Sequence, residues 1–309
     1  MIQQNLFSIL LFALLIQIAN GQILQKVEKP LKIHTIPFKL TEYNNLSVEA
    51  ILNKTETVNL MFHTAATAVD MKAEATKKLT TLKFTDKKDG VKSWGGGSNS
   101  SRYSVNNSIQ IGDLTGEKVT IWEDINSGQH TDGKFGIDLF KGRIIEIDFD
   151  QSVLRLHSSL PKKVKQYDKA KLTVDDEMLL LEADCTINGS RYTNKFLIHS
   201  GYAGAILFDD KFASDNKLSE QLQIVGEKTL KDSFGNEVKT KQAILPLLKI
   251  QNNSLTNVPV GFFEGAIGRR KMSILGGDIL KRFNWVIDAK RDYIYFRSNR
   301  FAASAYKKL

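Results

Sequence analysis

Ser273-Ile274-Leu275-Gly276-Gly277-Asp278-Ile279-Leu280 has a counterpart earlier in the same chain, Lys134-Phe135-Gly136-Ile137-Asp138-Leu139-Phe140. Each runs from apolar residues into Gly, reaches Asp two residues later and closes on further apolar residues. Other landmarks repeat around this pair in the same order. Val48-Glu49-Ala50-Ile51-Leu52-Asn53 parallels Leu181-Glu182-Ala183-Asp184-Cys185-Thr186-Ile187-Asn188. His63-Thr64-Ala65 begins ten residues after Asn53, and His199-Ser200-Gly201 begins eleven after Asn188. Ile144-Ile145-Glu146-Ile147-Asp148 and Trp285-Val286-Ile287-Asp288 follow the turns as strand-like runs ending in acid. The offsets are 136 between the histidines and 140 between Asp138 and Asp278, and again 140 between Asp148 and Asp288. Four matched landmarks in one order identify a unit written twice.

The local pattern within each unit is mostly short strands that alternate or are β-branched. In the first unit these are 47–52, 58–62, 119–122, 143–148 and 153–157. In the second they are 178–187, 195–198, 285–288 and 293–297. Short helices fit 71–79, 209–213 and 279–283. The expected class is mainly β, with two similar lobes at 22–160 and 176–298. A basic linker and the strand leading into the second lobe occupy 161–175, and a tail follows at 299–309.

Composition narrows the function. The 309 residues are 42% hydrophobic and 25% charged, with 5 Pro and no low-complexity tract, so long disorder is not expected. One Cys excludes a disulfide scaffold, a Cys-rich zinc module and an iron–sulfur protein. Cys185 reads as a small buried hydrophobe. The net charge of +9 comes from scattered Lys and Arg, which reads as a solvated basic surface rather than a nucleic-acid patch. Residues 6–18 form an apolar run broken only by Ser8 and Gln17. Ala19-Asn20-Gly21 follows, with small residues at its first and third places. This reads as a signal peptide over 1–21, cut before Gln22, in a protein exported to the periplasm or beyond the cell. The run is shorter than the ~20 residues of a membrane span. The alternative is an uncleaved anchor, since no Lys or Arg precedes the run. A monomer with no nucleic-acid partner and no stable membrane insertion is expected.

The two Gly-x-Asp turns, each preceded by a strand ending in a polar residue, Thr or Ser and a small residue, resemble the pepsin/retropepsin superfamily. The chain from about 35 to 298 is similar to the exported, two-lobed aspartyl-protease-like proteins of Bacteroidetes-type bacteria. The resemblance implies double-psi-type β-barrels flanking a cleft, no cofactor, and a peptide or protein ligand in that cleft. It also implies an aspartate at each strand end, the pair sharing a proton to activate a water. Both places hold histidine here, His63 and His199. Thr64 and Ser200 retain the hydroxyls that cross-brace the two loops in this family, and one of two glycines is retained as Gly201, the other being Ala65.

Three functions follow as alternatives. The first is a protein without aspartic peptidase activity that binds a ligand in the cleft, because two imidazoles are mostly neutral at pH 7 and bring no negative charge to a water. The second is a divergent hydrolase, with His63 or His199 as base and Thr64 or Ser200 nearby. The third is a metal site on His63 and His199. A catalytic zinc needs a third protein ligand, for which His130, Asp132 and Asp70 are the candidates. Asp138 and Asp278 read instead as caps of the turns that hold them. Trp94, Gly95 and Gly96 stand where the superfamily places a Gly-rich hairpin over the cleft, and also read as a plain surface loop. Ser233-Phe234-Gly235-Asn236 is the matching turn of the second lobe. Tyr202, after Gly201, is a further cleft candidate or a packed strand residue.

Overall fold

The computed structural model describes residues 33–91, 99–263 and 272–307. The expected signal peptide and Trp94, Gly95 and Gly96, the candidate flap residues, lie outside them. The first half carries β1 (His34–Pro37), β2 (Lys39–Leu40), β3 (Leu46–Leu52), β4 (Glu56–His63), β5 (Val69–Lys72) and β6 (Asp86–Val91). It continues with β7 (Asn99–Ile111), β8 (Leu114–Asp124), β9 (Gly133–Gly136), β10 (Ile144–Asp148) and β11 (Val153–His157). The second half carries β12 (Asp168–Asp175), β13 (Met178–Ile187), β14 (Ser190–His199), β15 (Ile206–Phe208) and β16 (Ile224–Lys231). It ends with β17 (Glu237–Ile250), β18 (Asn253–Phe262), β19 (Ser273–Gly276), β20 (Phe283–Ile287) and β21 (Tyr293–Ser298).

Each half closes a six-stranded barrel. The first runs β3-β4-β9-β5-β8-β7 and returns to β3, and the second runs β13-β14-β19-β15-β18-β17 and returns to β13. The order is the same strand for strand, so the repeat read in the sequence is a repeat of topology. In both barrels a parallel pair sits at the critical strand end: His63 pairs with Gly136 across β4 and β9, and His199 with Gly276 across β14 and β19. Gly276, not Gly277, is therefore the partner of Gly136. Neither glycine has room for a side chain, since a Cβ would lie 2.0 Å from Ala66 O at Gly136 and 2.2 Å from Gly204 O at Gly276.

A third layer joins the lobes. Strands β1-β11-β10-β20-β21-β12 form one continuous sheet in which Ile145 pairs with Ile287 and Ile147 with Trp285. All of β10 and β20 is buried, which fits their apolar majority, with Glu146, Asp148 and Asn284 as the buried polar residues. Against the opposing effect of burial, the Glu146 carboxyl is held down to about 2 by its hydrogen bonds with His157, Lys163 and Arg155 and by the charge of Lys163. The 161–175 segment is a 3-10 turn over Lys162–Gln166 followed by β12. Residues 302–307 pack against the second-lobe turn. Arg282, buried, donates to Ala302 O, Ser304 O and Asp278 O, and lies over the Tyr306 ring.

The expected helix over 71–79 is shorter than its apolar spacing suggests. Val69–Lys72 is strand, paired with β8 and β9, and only Ala73–Thr76 is helical. The helix expected over 209–213 spans Asp210–Asp215 with Asp209 as its N-cap, accepting from Phe212 N. Cys185 is buried and free, its thiol pushed up to about 12 by burial.

Candidate functional site

The strand ends of β4 and β14 meet at the junction of the barrels. Thr64 Oγ1 donates to Ile198 O at 2.6 Å and accepts from Ser200 N at 3.0 Å. Ser200 Oγ donates to Phe62 O at 2.7 Å and accepts from Thr64 N at 3.0 Å. Both hydroxyls are fully buried, so these four bonds replace the water each backbone group would otherwise lose. The cross-brace fixes what lies one residue earlier on each strand. His63 and His199, both partly buried, face each other with ring centres 4.5 Å apart and planes inclined by 60°.

The surroundings set the state of the pair. His63 Nδ1 accepts the Ala65 N–H at 3.1 Å, which assigns the proton of the neutral ring to Nε2. Nε2 points at Gly201, where a Cβ would come within 2.4 Å of it. Burial, then the neighbouring His199, then Lys134 hold His63 well below the usual histidine range. The site is thus a neutral imidazole beside a second imidazole.

The pair lies in a cleft of about 1080 Å³. Its walls include Met61, Ala65 and Trp122 from the first lobe, and Tyr202, Leu207 and Pro259 from the second. Both hairpins reach it, β6–β7 through Lys88 and Val91, and β16–β17 through Lys228 to Ser233. The Ser233–Asn236 stretch makes the expected turn: Asp232 Oδ1 accepts from Phe234 N and Asn236 N, and Gly235 takes φ +83°. That turn is docked on the first lobe. Ile125 N and Asn126 N both donate to Ser233 O at 2.9 Å, and Asn126 Nδ2 donates to Asp232 O at 3.1 Å. Tyr202 presses against Gly204 and Gly276, where a Cβ would meet its hydroxyl at 2.6 Å and its ring at 2.5 Å, respectively.

The three residues considered as a third metal ligand are engaged elsewhere. His130 pairs with Glu42 at 3.0 Å and stacks on Tyr43. Asp132 accepts from Asn59 N at 2.8 Å. Asp70 lies 3.6 Å from Lys134. Among the described residues no three His, Cys, Asp or Glu side chains converge on one point. Asp138 is exposed, whereas Asp278 is buried and accepts from Lys281 Nζ at 2.8 Å and Lys307 N at 2.7 Å. Neither caps its turn through its side chain, contrary to expectation; the carboxylate of Asp278 is used to hold the chain end instead. Sequence reasoning passed over Lys134, whose Nζ lies 2.9 Å from Asp124 on the cleft wall. The signal was available in the repeat, since Lys134 aligns with Ile274 and is the one charged residue of its turn strand.

No protein-family model matches the sequence, and no curated protein matches it. Among solved structures, the chain is similar to the aspartic proteinase from Irpex lacteus. The TM-score is 0.58, and the match covers 89% of this chain and 100% of that one at 14% identity. At that identity the likeness concerns the fold, which is mainly β, bilobal and pepsin-like.

Proposed function

We propose that this chain is an exported, aspartyl-protease-like protein of the Bacteroidetes type. In this reading His63 and His199 stand where the family's aspartates stand, and the cleft binds a peptide or other ligand without aspartic peptidase activity. The observation that carries the reading is the imidazole pair, 4.5 Å apart, mounted on an intact Thr64–Ser200 cross-brace. Such a brace positions whatever side chain precedes it. A carboxyl pair there stays monoanionic and makes a water nucleophilic, whereas a neutral imidazole pair supplies donors and acceptors without the charge. The two hairpins and the cleft between the lobes suit an extended ligand held through its main chain.

The test is peptidase assay of the purified chain on mixed peptide libraries at acid and neutral pH, with and without pepstatin. The expected result is no pepstatin-sensitive cleavage, together with saturable peptide binding that His63→Ala weakens. Pepstatin-inhibited cleavage that survives both His63→Ala and His199→Ala would overturn the placement of the site.

A further inference from the structure

Beside the main cleft a smaller pocket of about 180 Å³ opens between the first-lobe wall and the docked tip of the β16–β17 hairpin. Asp70, Trp122, Asp124 and Lys134 line it, with Phe234 across from them. It holds two carboxylates and one ammonium. Lys134 Nζ lies 2.9 Å from Asp124 Oδ2 and 3.6 Å from Asp70 Oδ2, and donates to Ser233 Oγ. Asp124 is 3% exposed. Its Oδ2 also accepts from Ser127, but its Oδ1 is buried with no hydrogen-bond partner among the described residues. With both carboxyls ionised the pocket carries one unbalanced negative charge, and one buried oxygen lacks a donor. Lys88, whose Nζ is 5.9 Å from the Trp122 ring centre, is exposed.

The barrel does not require this charge. Strand register places Leu207 where the first lobe has Asp70, Ile274 where it has Lys134, and Phe263 in line with Asp124. Those three belong to one apolar cluster with Leu180, Leu197 and Val238. A buried acceptor left without a donor costs free energy that an apolar residue avoids, so the charged version calls for a use.

We propose that this side pocket takes a basic group, the ammonium or guanidinium of a Lys- or Arg-like side chain carried by the cleft's ligand. Asp124 Oδ1 accepts its hydrogen bond, Asp70 completes the charge match, and the Trp122 ring offers an apolar face to its stem. Asp70 is raised to about 6 by burial and by Asp124, against the pull of Lys134, as suits a carboxyl whose counter-cation arrives with the ligand. The inference rests on the cleft being a ligand site.

The experiment titrates the whole chain calorimetrically with n-butylguanidinium, n-butylammonium and the neutral n-butylurea at pH 6 and 8. The expected result is saturable binding of the two cations, with butylurea at least about tenfold weaker. At pH 6 proton release should accompany binding, because the cation lowers Asp70. Asp124→Asn should weaken the cations about tenfold or more, and Asp70→Asn should abolish the proton release. Should Asp124→Asn fold poorly, the variant Asp70→Leu/Lys134→Ile/Asp124→Phe, which copies the second lobe, should fold and bind no cation. Equal binding of butylurea, absence of saturable cation binding, or cation affinity unchanged in these variants would overturn the proposal. Peptides that bind the cleft with no preference for Lys or Arg would overturn it and leave the cleft reading standing. Cations that bind as expected while peptides do not would overturn the peptide part of the cleft reading and leave the side pocket as the site for a basic group on a different ligand.

Discussion

The two barrels share every strand pairing and treat equivalent places in opposite ways. On the cleft wall the first lobe sets Asp70, Lys134 and Asp124 where the second sets Leu207, Ile274 and Phe263. At the turns the investment is reversed. Asp138 is exposed and followed four residues on by Gly142 with φ +73°, while Asp278 is buried and followed four residues on by buried Arg282. What stays fixed is set by the backbone: the hydroxyls of the cross-brace, and glycines where two strands and a loop crowd together. What varies is side-chain chemistry at positions where the backbone is already satisfied.

The hardest test of this contrast is Lys134→Met, which strands the buried Asp124 and the partly buried Asp70. Loss of about 3–5 kcal/mol is expected at pH 8, and less at pH 5, as measured by denaturant unfolding. An unchanged midpoint would mean that the triad is solvated and the lobes differ less than their side chains suggest. Next, Arg282→Met should cost about 2–4 kcal/mol by releasing Ala302 O and Ser304 O, whereas Asp138→Asn should change stability by no more than about 0.5. Equal costs would erase the difference between the turns. Third, Gly201→Ala drives a methyl into His63 and should cost roughly 1–3 kcal/mol, while Ala65→Gly, in the other lobe, should cost about 1 or less. Similar melting shifts for the pair would show that the His63 ring moves freely.

The smallest effect is the pH dependence, where two groups act with opposite signs. His63 is held below its ordinary 6.5, so below that pH the folded state binds fewer protons than the unfolded chain and stability falls on acidification. Asp70 is raised from 3.8 to about 6, so between these values the folded state binds more protons and stability rises on acidification. The two partly cancel in the wild type. Melting curves between about pH 4 and 8 should therefore separate in the variants: Asp70→Asn should steepen the acid loss and His63→Asn should remove it, by on the order of 1 kcal/mol. Superimposable profiles would remove the coupling of either group to folding.

Much of this was legible in the sequence. The 136- and 140-residue offsets located both strand ends and both turns, because those places obey backbone rules that leave few residue choices. The apolar strands 153–157 and 178–187 coincide with β11 and β13. The hairpin strands were not legible: β6 and β16 are exposed almost throughout, so no alternation marks them. Asp70 reads in the sequence only as a candidate metal ligand, because nothing local shows that β5 pairs with β9 and sets Asp70 opposite Lys134. A long-range pairing decides its surroundings, and no local pattern encodes it.

The joining of β10 to β20 has a consequence for how the molecule is made. Ile145 meets Ile287 only after some 140 further residues have been synthesised. Until then Ile144, Ile145 and Ile147 of β10 form an unpaired apolar edge on a nascent chain whose first barrel already has all its own strands. Such an edge is a template for wrong partners, and closing it across so long a loop is slow. Assembly of the central sheet is then the step at which yield would be lost, and a chaperone that shields strand edges would act there rather than on either barrel.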